Sequence, residues 1–181
     1  MSADKRLSTR TIALVGLMGV GKSTVGRRLA ARLGLPFHDA DQEIEAAAAR
    51  SVSDIFAELG EGAFRAGEHR VIRRLLDGPP IVLATGGGAY LHEGTRALFR
   101  QKAITVWLRA ELDVLAARVR RRDTRPLLRG KDPMAVLSDL AAQRYPIYAE
   151  ADLTVDCGGG SHGEAVEAIV RALRDHVGAK V

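Results

Sequence analysis

The stretch Gly16-Leu-Met-Gly-Val-Gly21-Lys22-Ser23-Thr24 limits what this chain can fold into more than any other. It has the form G-x-x-x-x-G-K-S, in which glycines let the backbone curl into a cup whose amide N–H groups converge on a polyphosphate. Lys22 adds positive charge at the β and γ oxygens, and the Ser23 hydroxyl is placed to ligate the Mg²⁺ that travels with a nucleotide. Such a loop works between a strand and a helix, because the helix turns its positive end towards the anion. The flanks supply both. Thr11-Ile-Ala-Leu-Val15 is a short apolar, β-branched run that predicts a buried strand. Val25, Leu29 and Leu33 recur at helical spacing over 22–33, and Gly34 followed by Pro36 predicts the stop.

The rest of the chain alternates in the same way. Pro36 to Asp39 reads as the end of a short second strand, and helical segments are predicted at about 41–49, 53–59 and 61–76. Ile81 to Ala84 predicts a third strand, 93–101 a helix, Ala103 to Leu108 a fourth strand, and Asp152 to Asp156 a fifth. Leu112, Leu115, Ala116 and Val119 give one helical face, Asp132-Pro133 a cap and first turn, and Val166, Ile169, Val170 and Leu173 the closing helix. Strands separated by helices require crossovers. The expected architecture is therefore a five-stranded parallel sheet with helices on both faces, whose ligands sit beyond the carboxyl ends of the strands. With 181 residues and no repeat or linker, the chain is expected to form a single domain.

The unusual residues fall at those strand ends. Asp39 and Asp41 follow the second strand; one can serve the Mg²⁺ shell while the other turns to a second substrate, or Asp41 caps the next helix. Gly86-Gly87-Gly88 follows the third strand and either admits a ligand close to the backbone or is a plain turn. Arg65 and Glu68 stand three apart on a helix, where the default is a solvated ion pair. The segment Arg118 to Lys131 carries seven Lys or Arg against one Asp, and reads as a solvated loop or as a lid bringing arginines to a phosphoryl group. Arg144 precedes Tyr145-Pro146, where a helix should bend or stop.

Bulk properties narrow the classes. The net charge of +5, carried by 22 Arg and 5 Lys, suits an anionic small molecule, and scarce aromatics argue against a base-stacking platform, so no nucleic-acid partner is expected. No apolar run is long enough to span a membrane, and a polar N-terminus predicts a cytoplasmic protein. One cysteine, Cys157, excludes an internal disulfide.

Together the blocks Gly16 to Thr24, Phe37-x-Asp39-x-Asp41-x-x-Ile44-Glu45, the Ser51 to Glu68 stretch around Phe64-Arg65, Thr85-Gly86-Gly87-Gly88 and Arg125-Pro126-Leu127-Leu128 resemble the shikimate kinase family, in the nucleoside-monophosphate-kinase-like branch of phosphate-loop proteins. The resemblance runs from about Thr11 to Val170. It implies transfer of the ATP γ-phosphate to the 3-hydroxyl of shikimate, with Mg²⁺ as cofactor and a monomeric state. It implies that Gly19, Val20, Gly21, Lys22, Ser23, Thr24, Arg118 and Arg125 meet ATP, with Arg118 over adenine and Arg125 on a lid over 119–131. Asp41, Arg65, Gly87, Gly88 and Arg144 would hold shikimate in a region of about 39–70 and its surroundings, and Ser23 with Asp39 would hold Mg²⁺. Lys22, Asp41 and Arg125 would carry the catalysis. Ala49 departs from the family, which often has glycine there, and Gly67 sits within a predicted helix. The alternatives are another small-molecule kinase of this branch such as gluconate kinase, a non-catalytic ATP-binding protein, or a nucleic-acid binder using 118–131.

Overall fold

β1 (Thr11–Val15) is buried along its whole length, as an apolar strand with neighbours on both edges must be. A computed structural model describes residues 7–121, 128 and 130–179. β2 (Phe37–Asp39), β3 (Val82–Ala84), β4 (Ala103–Arg109) and β5 (Leu153–Asp156) complete a parallel sheet of order β2-β3-β1-β4-β5. β1 is the centre, and the loop that leaves it stands where the order reverses, the place at which doubly wound sheets bind ligands.

Seven α-helices connect and cover the described strands: α1 (Lys22–Leu33), α2 (Ala40–Ala48), α3 (Val52–Leu76), α4 (Glu93–Lys102), α5 (Leu112–Arg120), α6 (Pro133–Tyr148) and α7 (His162–Gly178). α1 packs beside α7, α3 beside α4, and α5 beside α6. Polar pins fix the register. Thr85 donates to the Leu14 carbonyl from both its amide (3.1 Å) and its hydroxyl (2.8 Å), locking β3 to β1. At the other edge Asp152 Oδ2 accepts from the Thr105 amide (2.8 Å) and hydroxyl (2.9 Å), tying β5 to β4.

Two cores result. The main one lies on the sheet and includes Ile12, Leu14, Leu29, Leu83, Leu108, Leu115 and Ile169. A much smaller one, Ile44, Ile55, Phe64 and Val71, sits under α2 and α3. Its helices are cut short by backbone geometry. α2 ends on Ala49 in the left-handed conformation (φ 52, ψ 34), which costs a residue with a Cβ about 1–2 kcal/mol. Within α3, Gly60 (φ 80, ψ 172) interrupts the helix, so the two predicted segments 53–59 and 61–76 follow one another with a sharp break.

One expectation is corrected. α6 does not stop before Pro146 but runs through it to Tyr148, giving up the amide hydrogen bond that residue 146 would have donated to the Ala142 carbonyl. Cys157 is buried, and burial pushes its thiol up to about 11, so it stays protonated and inert. No helix among the described residues is long and apolar enough to cross a membrane.

Candidate active site

The loop after β1 is shaped by Gly19 (φ 83) and Gly21 (φ 96), whose left-handed backbones turn successive amides the same way. Lys22 Nζ donates to the carbonyls of Gly16 (2.7 Å) and Leu17 (3.1 Å), so the ammonium lies inside the curl. From outside, Arg118 of α5 reaches the Gly19 and Val20 carbonyls with Nη1 at 3.3 and 3.4 Å. Beside the loop, Ser23 Oγ donates to Asp39 Oδ2 at 2.5 Å. Asp39 Oδ1 in turn accepts from the amides of Asp41 (3.0 Å) and Gln42 (3.3 Å). Asp39 is therefore the cap of α2, which corrects the alternative that Asp41 plays that part and leaves the Asp41 carboxylate to the cleft.

The cleft has a volume of about 620 Å³. Its far wall is Gly86-Gly87-Gly88, and each glycine makes room for a charged group. A Cβ on Gly86 would sit 2.9 Å from Asp41 Oδ1 and 3.3 Å from Glu68 Oε2. On Gly87 it would meet Arg144 Nη1 at 2.8 Å, and on Gly88 it would overlap the Arg65 guanidinium. The three glycines are thus a socket rather than a plain turn. The predicted solvated pair Arg65–Glu68 is also corrected: Arg65 Nη1 donates to Glu68 Oε1 at 2.8 Å, but Glu68 is only 1% exposed and lines the cleft. Phe64 and Phe56 stack beneath (centroids 4.5 Å apart), and Arg65 lies 5.1 Å over the Phe64 ring, giving one apolar side.

Burial sets the electrostatics. It raises the Asp41 carboxyl above its usual range, with help from the Asp39 charge and against the pull of Lys22 and Arg65. Glu68 is raised for the same reason, with Arg65 opposing. Arg144 is buried too, and among the described residues it pairs with no carboxylate. Guanidiniums cannot shed their charge, so a socket flanked by Arg65 and Arg144, with the carboxyls of Asp41 and Glu68 drawn towards protonation, favours an anion.

Residues 18–174 match the family model for shikimate kinase. A shikimate kinase of Caulobacter vibrioides is 66% identical over 168 residues, 93% of this chain and 84% of that protein. The chain belongs to the shikimate kinase family. The shikimate kinase from Acinetobacter baumannii, solved in complex with shikimate, matches with TM-score 0.87 and 36% identity, covering 94% of this chain and 96% of that one. A gluconokinase from Sinorhizobium meliloti matches with TM-score 0.62 at 20% identity, which is a likeness of fold alone.

Within this shikimate kinase fold, one cleft gathers Gly19, Gly21, Lys22, Ser23, Thr24, Asp39, Asp41, Arg65, Gly87, Gly88, Arg118 and Arg144. Val20 does not line it; its side chain is 1% exposed and faces the core, leaving only its backbone to serve a ligand. Arg125, and most of the expected lid, lie outside the described residues. Glu68 in the wall and Tyr148 buried behind it carry roles that the sequence does not announce. Glu68 was paired with Arg65 but given no place in the cleft, and Tyr148, whose hydroxyl donates to the Gly87 carbonyl, carried no signal beyond being four residues after Arg144.

Proposed function

We propose that this chain transfers the γ-phosphate of ATP to the 3-hydroxyl of shikimate, giving shikimate 3-phosphate and ADP. One observation carries the reading: two arginines, Arg65 and Arg144, converge on a glycine socket beside a loop built for polyphosphate, and Arg144 is buried without a carboxylate of its own. Arg144 feels the Glu68 carboxyl but bonds to no carboxylate, and the carboxylate of shikimate supplies that partner by bidentate bonding. Asp41, across the socket, accepts from a ring hydroxyl.

The donor half takes ATP. Gly19, Val20 and Gly21 offer backbone amides to the phosphates, Lys22 and Thr24 line the same mouth, and Arg118 borders the adenine side. Ser23 and Asp39 are adjacent hard oxygen donors, a fit for Mg²⁺, and no larger group of acidic or imidazole ligands occurs among the described residues. The ion, bound with the nucleotide, neutralises charge developing on the phosphates. Phosphoryl transfer is mostly positioning and neutralisation. Lys22 follows the migrating phosphoryl group, Arg125 reaches it from a lid over about 119–131, and Asp41 orients the attacking hydroxyl and takes its proton. Closure would keep water from the γ-phosphate. The whole is one kinase domain, 1–181, with the phosphate loop at 16–24 and the acceptor region at about 39–70. It works as a cytoplasmic monomer, since one chain supplies both halves of the cleft.

The test is ADP release with shikimate, gluconate and nucleoside monophosphates in parallel. Turnover with shikimate alone is expected; equal or greater turnover with gluconate would overturn the assignment.

A further inference from the structure

Tyr148 ends α6 one turn beyond Arg144, so both side chains leave the same face of the helix. It is fully buried, with its ring centroid 5.9 Å from Trp107 and 6.4 Å from Tyr145. Trp107 belongs to β4 and stands opposite Val15 of β1, so the stack is anchored in the sheet. The phenol oxygen donates to the Gly87 carbonyl. The Arg144 guanidinium stands against the same glycine: a Cβ built on Gly87 would lie 2.8 Å from Arg144 Nη1 and 3.9 Å from the Tyr148 oxygen.

The backbone of the socket accounts for the rest. The Gly86 carbonyl accepts from the Ala89 amide (3.2 Å) and the Gly88 carbonyl from the Leu91 amide (3.1 Å). Arg96 Nη1 holds the carbonyls of Tyr90 (2.9 Å) and Leu91 (2.7 Å). Gly87, the middle residue, is the one whose carbonyl is held by a side chain from across the molecule.

We propose that Tyr148 is a positioning residue for the acceptor site, its hydroxyl fixing the Gly86–Gly88 turn against which the Arg144 guanidinium lies, so that turn and guanidinium meet the acceptor's carboxylate end together. This rests on the function proposed above. It predicts a specific asymmetry: the hydroxyl serves acceptor binding, the ring serves packing, and ATP is indifferent to the first.

The experiment compares the wild type with Tyr148→Phe and Tyr148→Leu, by steady-state kinetics on both substrates, thermal melting, and shikimate titration of the emission of Trp107, the one tryptophan of the chain. Tyr148→Phe should raise the shikimate KM about tenfold as the socket turn is released, with kcat and ATP KM close to wild type and Tm lower by about 2–4 °C for the orphaned Gly87 carbonyl. The midpoint of the Trp107 titration should move by the same factor. Tyr148→Leu should add a further loss of Tm. A Tyr148→Phe protein whose shikimate KM stays within about twofold of wild type, or whose ATP KM rises equally, overturns the proposal. Absence of shikimate turnover in the wild type overturns the proposed function and this role with it, whereas an active wild type beside an unaltered Tyr148→Phe sinks this role alone.

Discussion

The two halves of the cleft are built from different materials. In the proposed assignment the donor half centres on one contiguous loop, 16–24, whose backbone amides face the phosphates, with Arg118 added from α5. The acceptor half is assembled from formal charges on separate elements: Asp41 on α2, Arg65 and Glu68 on α3, and Arg144 on α6, all closing on the glycines after β3. Backbone dipoles come with the fold and need no counter-charge. Ionised side chains must be desolvated, and the raised carboxyls of Asp41 and Glu68 show that burial outweighs their partners. The acceptor half is also the one that leans on the small core of Ile44, Ile55, Phe64 and Val71. In the proposed assignment, acceptor recognition thus rests partly on the smaller core.

That contrast can be broken by experiment. Lys22→Ala and Arg125→Ala should lower kcat by about 10³-fold, leaving shikimate affinity in isothermal titration near wild type; a near-normal kcat for Arg125→Ala would remove it from the donor half. Asp41→Asn should lower kcat/KM for shikimate by about 10²-fold with ATP affinity nearly intact. The same variant should be the more stable protein at neutral pH. A carboxyl whose pKa is raised in the folded state binds its proton more tightly there, so its contribution to stability is full at low pH and is lost as pH rises through the raised value. Melting curves across pH should show Asp41→Asn gaining Tm on the alkaline side of that titration, while in the wild type the acid limb of activity lies above the ordinary aspartate range. A lower Tm for Asp41→Asn at pH 7 would contradict the burial argument.

Gly88→Ala should raise the shikimate KM by about 10–100-fold, because the new methyl displaces the Arg65 guanidinium and its charge-assisted bonds, while ATP KM holds. An unchanged shikimate KM would mean that the socket is not needed. Smallest is Ala49→Gly, which should add about 1 kcal/mol and raise Tm by about 2–4 °C with kinetics unaltered, by relieving the left-handed alanine.

The donor half was legible because its information is local. Strand, loop and helix follow one another within Thr11 to Leu33, and α1 spans the predicted 22–33. The break at Gly60 was legible for the same reason, a glycine between two helical repeats. Glu68 was not, because its burial depends on Gly86, in the turn after β3 and distant in sequence, leaving room for it. Nor was the run of α6 past Pro146: the helix carries on despite the amide hydrogen bond lost there, with Tyr148 beyond it buried against Trp107. Ala49 was visible as a departure from the family; that it carries a positive φ became visible only in three dimensions.

Thr85 spends two hydrogen bonds on the single carbonyl of Leu14, and that carbonyl lies two residues before the phosphate loop, while Thr85 lies one before the glycine socket. The spacing between the phosphate loop and the glycine socket is thereby set at a buried strand pair rather than among the side chains that line the cleft. Side chains around the cleft can be exchanged, and a new acceptor tried, without resetting that spacing. Much of the effective concentration of one reactant before the other is then a property of the sheet, inherited by whichever alcohol the socket is shaped to hold.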